Sequence, residues 1–213
     1  MSHSDNYIPA LGHKRLTPLY DPLLKWVMRE EMFKRELIRQ ANISAGQRVL
    51  DLGCGTATLT ILIKQSRPDA EVVGLDGDVQ VLEIGRAKAA KAGVDITLDH
   101  GMAFQLPYLD GSFDRVVSSL VFHHLSREDK QRAMNEVFRV LRPGGELHLA
   151  DLGKPQHAFA QFISLFVRRF ERAADNFDGL LPEMMRRAGF VGVVEPAQFV
   201  GALSLYKAEK PDL

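Results

Sequence analysis

The residues with the clearest chemical use are Asp51, Gly53 and Gly55, in a turn that follows the apolar run 49–52. Such a run is typical of a buried strand, and the apolar segment after the turn predicts a helix. A strand that turns on glycines into a helix leaves bare backbone N–H groups beside the helix N-terminus. Asp76 ends a second apolar run, and a carboxylate there can accept both hydroxyls of a ribose. Together these features predict a nucleoside cofactor.

Thr58 and Asp51 distinguish between two kinds of nucleoside cofactor. A dinucleotide-binding turn needs a third glycine for close helix–strand packing, and that position holds Thr58. The Asp51 carboxylate would repel a pyrophosphate, whereas it would attract the ammonium of a methionine moiety. The pattern therefore disfavours a dinucleotide-dependent dehydrogenase. Asp51 has an alternative role as a helix-turn carboxylate. Asp76 could instead be a helix N-cap, although Asp78 is better placed to cap the predicted helix 78–92.

The segment VLDLGCGTATLT, residues 49–60, resembles the glycine motif of class I S-adenosylmethionine-dependent methyltransferases. The similarity continues through LPYLDGSFDRVVSSLVFHHL, residues 106–125, and VFRVLRPGGELHLAD, residues 137–151. It is strong over residues 42–151 and weak elsewhere. The resemblance implies S-adenosyl-L-methionine as the cofactor and Asp76 as the ribose-binding acid. The look-alikes include small-molecule and quinone-biosynthesis methyltransferases.

Strand and helix patterns alternate along the chain, which predicts a parallel sheet with helices on both faces. The predicted strands are 48–52, 71–75, 94–99, 113–119, 145–151, 190–195 and 199–206, with Pro196 in the last turn. The predicted helices are 22–40, 57–66, 78–92, 127–141, 155–174 and 181–188. The resemblance implies an α/β, Rossmann-like doubly wound sheet of seven strands, mostly parallel with the last strand antiparallel, in a single domain. We expect an N-terminal cap and helix over 1–41 and the methyltransferase domain over 42–213, in which a helical insertion at 155–180 could form a lid.

Composition excludes several classes of protein. The 213 residues suffice for one domain with a full core. Lys plus Arg and Asp plus Glu both number 27, and this balance argues against nucleic acid bound through a broad basic face. No apolar run approaches the roughly 18 residues of a membrane-spanning helix, so we expect no integral membrane association. A lone cysteine and a start without a secretory signal pattern predict a cytoplasmic protein.

One position departs from the family pattern on the adenine side of the expected site. Similar methyltransferases place an acid five residues before the proline of an L-P-F/Y segment, and counting back from the proline here gives Met102. A thioether packs against a purine but accepts a hydrogen bond poorly. Adenine would instead be held by the Ala103 backbone N–H and by apolar walls such as Gly77, Val79 and Phe104.

Ligands of open α/β sheets lie beyond the carboxyl ends of the strands. This rule and the resemblance give the predicted cofactor contacts, which are Tyr20, Asp51, Gly53, Cys54, Gly55, Asp76, Gly77, Met102, Ala103 and Ser119. Tyr20 belongs to a segment that folds across the cofactor in similar enzymes, and it fits equally well as a core tyrosine at a helix N-terminus. Cys54 is expected to fill space beside the glycines rather than to act as a nucleophile.

His123 and His124 follow the fourth predicted strand and are the catalytic candidates. A histidine there could act as a general base. The alternative role is structural, because paired histidines are common at this point in look-alike sequences of differing activity. No third ligand has convincing spacing for a metal, so none is predicted. The segment 119–122 lacks the prolines of a D/N-P-P-Y quartet, which argues against methylation of nucleobase amines.

The sequence therefore predicts an enzyme that transfers a methyl group from S-adenosylmethionine to a small acceptor, apolar or amphipathic. Because the sulfonium donor is already electrophilic, alignment matters more than acid–base chemistry. An aromatic stripe over 159–170 could roof that acceptor, pack on the sheet, touch a membrane surface or form a homodimer contact. Two alternatives stay open: a non-catalytic protein that binds S-adenosylmethionine or S-adenosylhomocysteine, and an enzyme of the same fold that transfers another group, such as aminopropyl or carboxymethyl.

Overall fold

The structure is a computed structural model that describes residues 30–155, 173–199 and 203–212. Strands and helices alternate through most of these ranges. The strands are β1 (Arg48–Leu52), β2 (Glu71–Asp76), β3 (Thr97–His100), β4 (Phe113–Ser119), β5 (Leu141–Leu152), β6 (Val191–Phe199) and β7 (Leu203–Glu209). The helices are α1 (Glu30–Ala41), α2 (Thr58–Ser66), α3 (Val79–Ala92), α4 (Arg127–Val140), α5 (Ala174–Phe177) and α6 (Leu181–Ala188). A short 3₁₀ turn, Phe122–His124, lies between β4 and α4.

The seven strands of the described residues form one sheet in the order β3-β2-β1-β4-β5-β7-β6. Strand β1 pairs in parallel with β2 and β4, and the β2–β3 and β4–β5 pairs are parallel as well. Strand β7 runs antiparallel to both of its neighbours, β5 and β6. This arrangement confirms the doubly wound, mostly parallel sheet of seven strands with a reversed last strand.

Alternate residues of the central strands enter two separate cores. Leu50 and Val116 pack with α4 and α6 on one face, whereas Val49 and Val117 pack with α1 and α2 on the other. Successive side chains of a strand point to opposite faces, so a continuous apolar run buries both faces of the sheet. This packing fixes the positions of the strand tips at the carboxyl edge.

Local signals place helix α3 close to the glycine turn. Asp78 caps the helix, as the sequence predicts, because its side chain accepts a hydrogen bond of 2.8 Å from the Gln80 N–H. Gly85 faces inward, where an added Cβ would lie 3.1 Å from Ala57 Cβ and from Leu98 Cδ1. The small inner face of α3 therefore lets it approach the residues that follow the turn.

Several element boundaries differ from the sequence predictions: β3 is Thr97–His100 rather than 94–99, β6 is Val191–Phe199 rather than 190–195, and β7 is Leu203–Glu209 rather than 199–206. The placement of Pro196 in a turn is wrong, because Pro196 lies inside the edge strand β6. The pairing of β6 with β7 shifts register between Val194 and Ala197, and an edge strand with such an irregularity tolerates a residue that has no N–H. Strand β5 begins at Leu141, directly after α4, rather than at residue 145.

Several sequence predictions fall on residues outside the described ranges. These are Tyr20, the part of the helix 22–40 that precedes Glu30, and most of the helix 155–174 with its aromatic stripe 159–170. The division into a cap over 1–41, a domain over 42–213 and an insertion over 155–180 therefore stays a prediction. Within the described ranges, no helix is both long enough and apolar enough to cross a membrane.

Candidate functional site

A cavity of about 450 Å³ opens at the carboxyl edge of the sheet, beside the tips of β1, β2 and β4. Sites for small molecules usually have volumes of roughly 300–1,000 Å³. The predicted site residues that line this cavity are Asp51, Gly53, Cys54, Gly55, Asp76, Gly77, Met102, Ala103, Ser119 and His124. The fold thus brings together residues that are widely separated along the chain.

The turn after β1 has a backbone conformation that L-residues rarely adopt, with φ of 70° at Gly53 and 53° at Gly55. A Cβ at Gly53 would lie 2.3 Å from Val121 Cγ2, so no side chain fits there. A Cβ at Gly55 would meet no atom within 4 Å. Because Gly55 also lines the cavity, its bare backbone leaves room for a ligand, as a cofactor cradle requires.

Asp76 is fixed at the tip of β2 by two backbone donors. Its Oδ2 accepts from the Gly55 N–H at 2.8 Å and its Oδ1 accepts from the Asp78 N–H at 2.9 Å. Burial raises the pKa of Asp76, and these two hydrogen bonds oppose the rise. A carboxylate oxygen has more than one acceptor position, so Asp76 can still accept hydrogen bonds from a ligand in the cavity.

The end of the cavity beside α1 is highly charged. Asp51 is 1% exposed, and its Oδ2 accepts a hydrogen bond of 2.7 Å from the Thr60 hydroxyl. Nearby, Lys34 Nζ donates to Glu30 Oε1 at 2.6 Å. Burial raises the pKa of Asp51 to about 6, although the Thr60 hydrogen bond and the charge of Lys34 both lower it. A ligand cation beside Asp51 would therefore be stabilised and would favour the ionised carboxylate.

The side of the cavity beside β3 is largely apolar. Met102, Ala103 and Phe104 line it together with Gly77. Val79 is 49% exposed and is not among the residues that line the cavity, unlike the other apolar walls predicted for adenine. The position where similar methyltransferases carry an acid is thus occupied by a thioether at the cavity wall.

The substitution Met102→Asp is expected to tighten S-adenosylmethionine binding by about tenfold, since a hydrogen bond to a charged group contributes about 1.5–3 kcal/mol before the cost of desolvation. Isothermal calorimetry would measure the change. Met32→Asp, at an exposed position of α1, is a matched control that should leave the affinity unchanged. Equal or weaker binding by Met102→Asp would contradict the placement of adenine beside Met102.

The two histidines after β4 have different environments, and His123 does not line the cavity. It is 7% exposed, and its Nδ1 lies 2.9 Å from Asp151 Oδ1. The Oδ2 of Asp151 accepts from the N–H groups of Val121 and Phe122 at 3.0 and 2.7 Å. Burial would raise the pKa of Asp151, but His123 and hydrogen bonds from the backbone N–H groups of Leu152 and Phe122 lower it overall. His123 and Asp151 therefore hold the 3₁₀ turn against β5.

His124 lines the cavity directly. Its ring centroid lies 4.0 Å from that of His123. Burial, and to a smaller extent His123, lowers the pKa of His124 to about 4, so this imidazole is neutral at neutral pH. Of the two catalytic candidates, the structure brings His124 and not His123 to the cavity. A catalytic role for either residue stays a prediction.

The sequence patterns do not single out Glu30, Lys34 and Asp129, although all three line the cavity. Lys34 directly follows the buried Phe33 in α1, and Glu30 precedes it by one helical turn. That i, i+4 pair beside an apolar face is the signal that points to them. Asp129 has the sequence context of a capping residue, and it does accept from the Ser126 hydroxyl at 2.7 Å. Only the packing of the elements shows that these side chains reach the cavity.

Metal binding and nucleophilic attack by a thiol are two further kinds of chemistry that depend on the environment of particular side chains. Within the described parts of the chain, no group of three or more His, Cys, Asp or Glu side chains could hold a metal ion. Burial raises the pKa of the Cys54 thiol, and a nucleophilic cysteine needs the opposite shift. Tyr20, the remaining predicted cofactor contact, lies outside the described residues.

A seven-stranded sheet of this order, with a glycine turn and a neighbouring acid at its carboxyl edge, defines the class I S-adenosylmethionine-binding fold. Residues 49–145 match the methyltransferase domain family. The demethylmenaquinone methyltransferase of Anoxybacillus flavithermus is 30% identical, in an alignment that covers 86% of this chain and 86% of that protein. The chain therefore belongs to the S-adenosylmethionine-dependent methyltransferase family, and S-adenosyl-L-methionine is its cofactor.

Solved structures resemble the protein in fold. The S-adenosylmethionine-dependent methyltransferase SibL in its apo form gives a TM-score of 0.73 at 20% identity, over 96% of this chain and 60% of that one. The [4+2]-cyclase SpnF gives a TM-score of 0.68 at 18% identity, over 84% and 80% of the two chains. Since a cyclase shares the fold, the site and not the fold must identify the acceptor.

Proposed function

We propose that the protein methylates a small, apolar aromatic acceptor of the quinol class, with S-adenosylmethionine as the donor. The observation that carries this proposal is that the cavity has a charged end and an apolar side. The end beside Asp51 is charged, whereas Val121 and Leu125 line the cavity beside the neutral His124. The name of the demethylmenaquinone methyltransferase relative points to the same class of acceptor.

The side of the cavity beside His124 suits an apolar ring. Val121 and Leu125 both line the cavity, and burial of apolar surface contributes roughly 25 cal/mol per Å². Asp129 also lines the cavity; its carboxylate accepts from the Ser126 hydroxyl at 2.7 Å and from Arg132 at 3.2 Å, and its remaining acceptor positions suit a hydroxyl on an otherwise apolar acceptor. A hydrophilic acceptor would lose hydration there with few partners to replace it.

The chain's own residues would supply binding and alignment. S-adenosylmethionine, when bound, provides an electrophilic methyl group on its sulfonium. In this proposal Asp76 accepts hydrogen bonds from the ribose, Asp51 binds the ammonium, and the bare turn at Gly53 and Gly55 allows close approach of the backbone. These contacts would fix the donor and leave the space beside His124 for the acceptor, which is the alignment that methyl transfer needs.

His124 fits a role in orienting the acceptor. A neutral imidazole can accept a hydrogen bond from a hydroxyl, and a quinol offers one. With its pKa lowered to about 4 by burial and by His123, the ring binds a proton too weakly to hold it at neutral pH. The geometry and the lowered pKa therefore favour a role for His124 in orienting the acceptor hydroxyl over a role as a strong general base.

The substitution His124→Phe is expected to lower kcat by about a hundredfold, because loss of alignment at a reacting group costs rates of that order. S-adenosylhomocysteine affinity should stay within about twofold of the wild type, since His124 is assigned to the acceptor. Steady-state kinetics with a quinol and calorimetry with S-adenosylhomocysteine would measure the two effects. Parallel losses of rate and of S-adenosylhomocysteine binding would assign His124 a structural role instead.

Incubation of the purified protein with S-adenosylmethionine and a panel of acceptors tests the acceptor class. The panel holds reduced, demethylated naphthoquinols together with primary amines and thiols of similar size. We expect methylated quinol and an equal amount of S-adenosylhomocysteine. Methyl transfer to amines or thiols but not to quinols would overturn the proposal. Release of 5′-methylthioadenosine would indicate transfer of the 3-amino-3-carboxypropyl group instead of the methyl group, and tight S-adenosylhomocysteine binding without any product would support a non-catalytic role.

A further inference from the structure

We propose that Asn176 is a positioning residue for methyl transfer. In this role it fixes the carboxylate of Asp151, and Asp151 in turn holds the 3₁₀ turn that presents His124 to the acceptor. The role rests on the proposed function, in which His124 orients the acceptor hydroxyl. Asn176 is not among the residues that line the cavity, so it acts on the acceptor only through Asp151 and the turn.

The Asp151 carboxylate, near the end of β5, is the point where these elements meet. It is 0% exposed. Its Oδ2 holds the backbone of the 3₁₀ turn, as described above. Its Oδ1 accepts from the Leu152 N–H at 2.8 Å and from Asn176 Nδ2 at 3.0 Å, and lies 2.9 Å from His123 Nδ1. A carboxylate has about four acceptor positions, so these donors occupy Asp151 fully and together set its orientation.

Asn176 is the donor that ties this carboxylate to a further part of the fold. Among the described residues, the other donors to Asp151 belong to the turn itself or to the next residue of β5. Asn176 lies in α5, and its neighbour Asp175 attaches that helix to α4 by accepting from Arg127 Nε at 2.8 Å and from Lys130 Nζ at 3.4 Å. The bond from Asn176 therefore fixes Asp151 relative to α4 and α5.

The amide oxygen of Asn176 indicates that the side chain is present for its donor. Asn176 is 0% exposed, and its Oδ1 has no hydrogen-bond partner among the described residues. Burial of a polar atom without a partner lowers folding stability. A position that serves stability alone would favour a side chain without this oxygen. The bond from Nδ2 to Asp151 is what the amide contributes in return, which favours a role in orienting that carboxylate.

The orientation of Asp151 reaches His124 by two routes. The first is the backbone of the turn, because Oδ2 binds the N–H groups that precede the two histidines. The second is the ring of His123, which contacts Asp151 and lies with its centroid 4.0 Å from that of His124. The charge of Asp151 also raises the pKa of His124, against the larger lowering by burial. A displaced carboxylate would therefore change both the direction and the proton affinity of the His124 ring.

Steady-state kinetics with a reduced, demethylated naphthoquinol tests the proposal on Asn176→Ala. At saturating S-adenosylmethionine we expect kcat to fall by about tenfold, because alignment at the reacting groups is lost. S-adenosylhomocysteine affinity should match the wild type, since Asn176 does not line the cavity. Phe177→Leu is the control in the same helix. It removes buried contacts with Ala173 and Leu152 but keeps the bond to Asp151, so it should lower folding stability and leave kcat unchanged.

Asn176→Asp makes the same donor depend on a proton. The neighbouring Asp151 carboxylate should raise the pKa of the new carboxyl group, and its protonated form can donate as the amide does. The ratio of kcat in this variant to kcat in the wild type should therefore rise as the pH is lowered from 8.5 to 6, whereas the ratio for Asn176→Ala should stay constant. The titratable groups that interact with Asp151 are present in both proteins, so their effects cancel in the ratio; they are His123, His124, Lys130 and Tyr206.

NMR of the histidine rings tests the same link without an acceptor. In Asn176→Ala the ring signals of His123 and His124 should shift, whereas those of His148, which is buried elsewhere in β5, should not. Wild-type protein that methylates no quinol would contradict the proposed function, and the ring signals would then decide the role of Asn176 alone.

Three results would overturn the role of Asn176. One is a folded Asn176→Ala variant with the kcat and the histidine signals of the wild type. Another is an equal loss of kcat in Asn176→Ala and Phe177→Leu, which would indicate a general effect of α5. The third is a kcat ratio for Asn176→Asp that does not change with pH.

Discussion

The substitution Asp76→Ala is expected to weaken S-adenosylhomocysteine binding by about a hundredfold or more. Two hydrogen bonds from ribose hydroxyls to a charged carboxylate contribute about 1.5 kcal/mol each or more, and every 1.4 kcal/mol is about a tenfold change in affinity. The carboxylate is already held by the N–H groups of Gly55 and Asp78, so binding requires little rearrangement of its side chain. Calorimetry at pH 8 would measure the loss.

A matched control is available two residues away. Asp78→Ala removes the cap of α3 and should cost about 1 kcal/mol of folding stability. Because Asp78 does not line the cavity, this variant should bind S-adenosylhomocysteine like the wild type. Asp76→Asn, which keeps one acceptor oxygen, should give an intermediate affinity. A folded Asp76→Ala variant with unchanged affinity would remove the ribose assignment.

The fold could be predicted from the sequence because its signals are local. Each central strand is a short apolar run, and each is followed by a turn and a helical pattern, so the alternation shows the layer architecture directly. One exception is Pro196, which a local rule assigns to a turn. Its actual place in β6 depends on that strand lying at the sheet edge, and edge position is a property of the tertiary structure.

The residues of the candidate site also fall into two groups: those that local sequence patterns locate, and those whose place depends on tertiary packing. Gly53, Gly55 and Asp76 could be predicted because a motif and the strand-end rule locate them without knowledge of side-chain packing. The different environments of His123 and His124 could not be predicted from the sequence. The two residues are adjacent in a 3₁₀ turn, and the direction in which each ring points decides whether it reaches the cavity. The position of Lys34 at the cavity could not be predicted either, because it depends on which turn of α1 meets the tip of β1.

The second large effect concerns the pH dependence of folding stability at Asp51. Burial raises the pKa of Asp51 from 3.8 to about 6. Between these two pH values the folded, ligand-free protein keeps a proton on Asp51 that the unfolded chain has already released. Stability from this group is therefore complete below about pH 4 and is lost as the pH rises through about 6. We expect Asp51→Asn to stabilise the ligand-free protein at pH 7.5 by about 3 kcal/mol, measured by denaturant unfolding. A variant less stable than the wild type at pH 7.5 would contradict this pKa.

The same carboxylate should make cofactor binding depend on pH. An ammonium beside Asp51 favours the ionised carboxylate, so binding of the ligand below pH 6 releases a proton from Asp51. The affinity of the wild type for S-adenosylhomocysteine should therefore fall by up to about tenfold for each pH unit below 6. The Asp51→Asn variant should bind S-adenosylhomocysteine at least about tenfold more weakly at pH 7.5. Its affinity should also depend less steeply on pH than that of the wild type. The pH dependence that remains would come from Asp76, whose pKa is also raised by burial. Calorimetry between pH 5 and pH 8 would measure both slopes. Equal slopes of affinity against pH in the wild type and in Asp51→Asn would show that Asp51 does not face the ammonium. Greater folding stability together with weaker binding in Asp51→Asn would instead show that the buried charge of Asp51 destabilises the fold and contributes to cofactor binding.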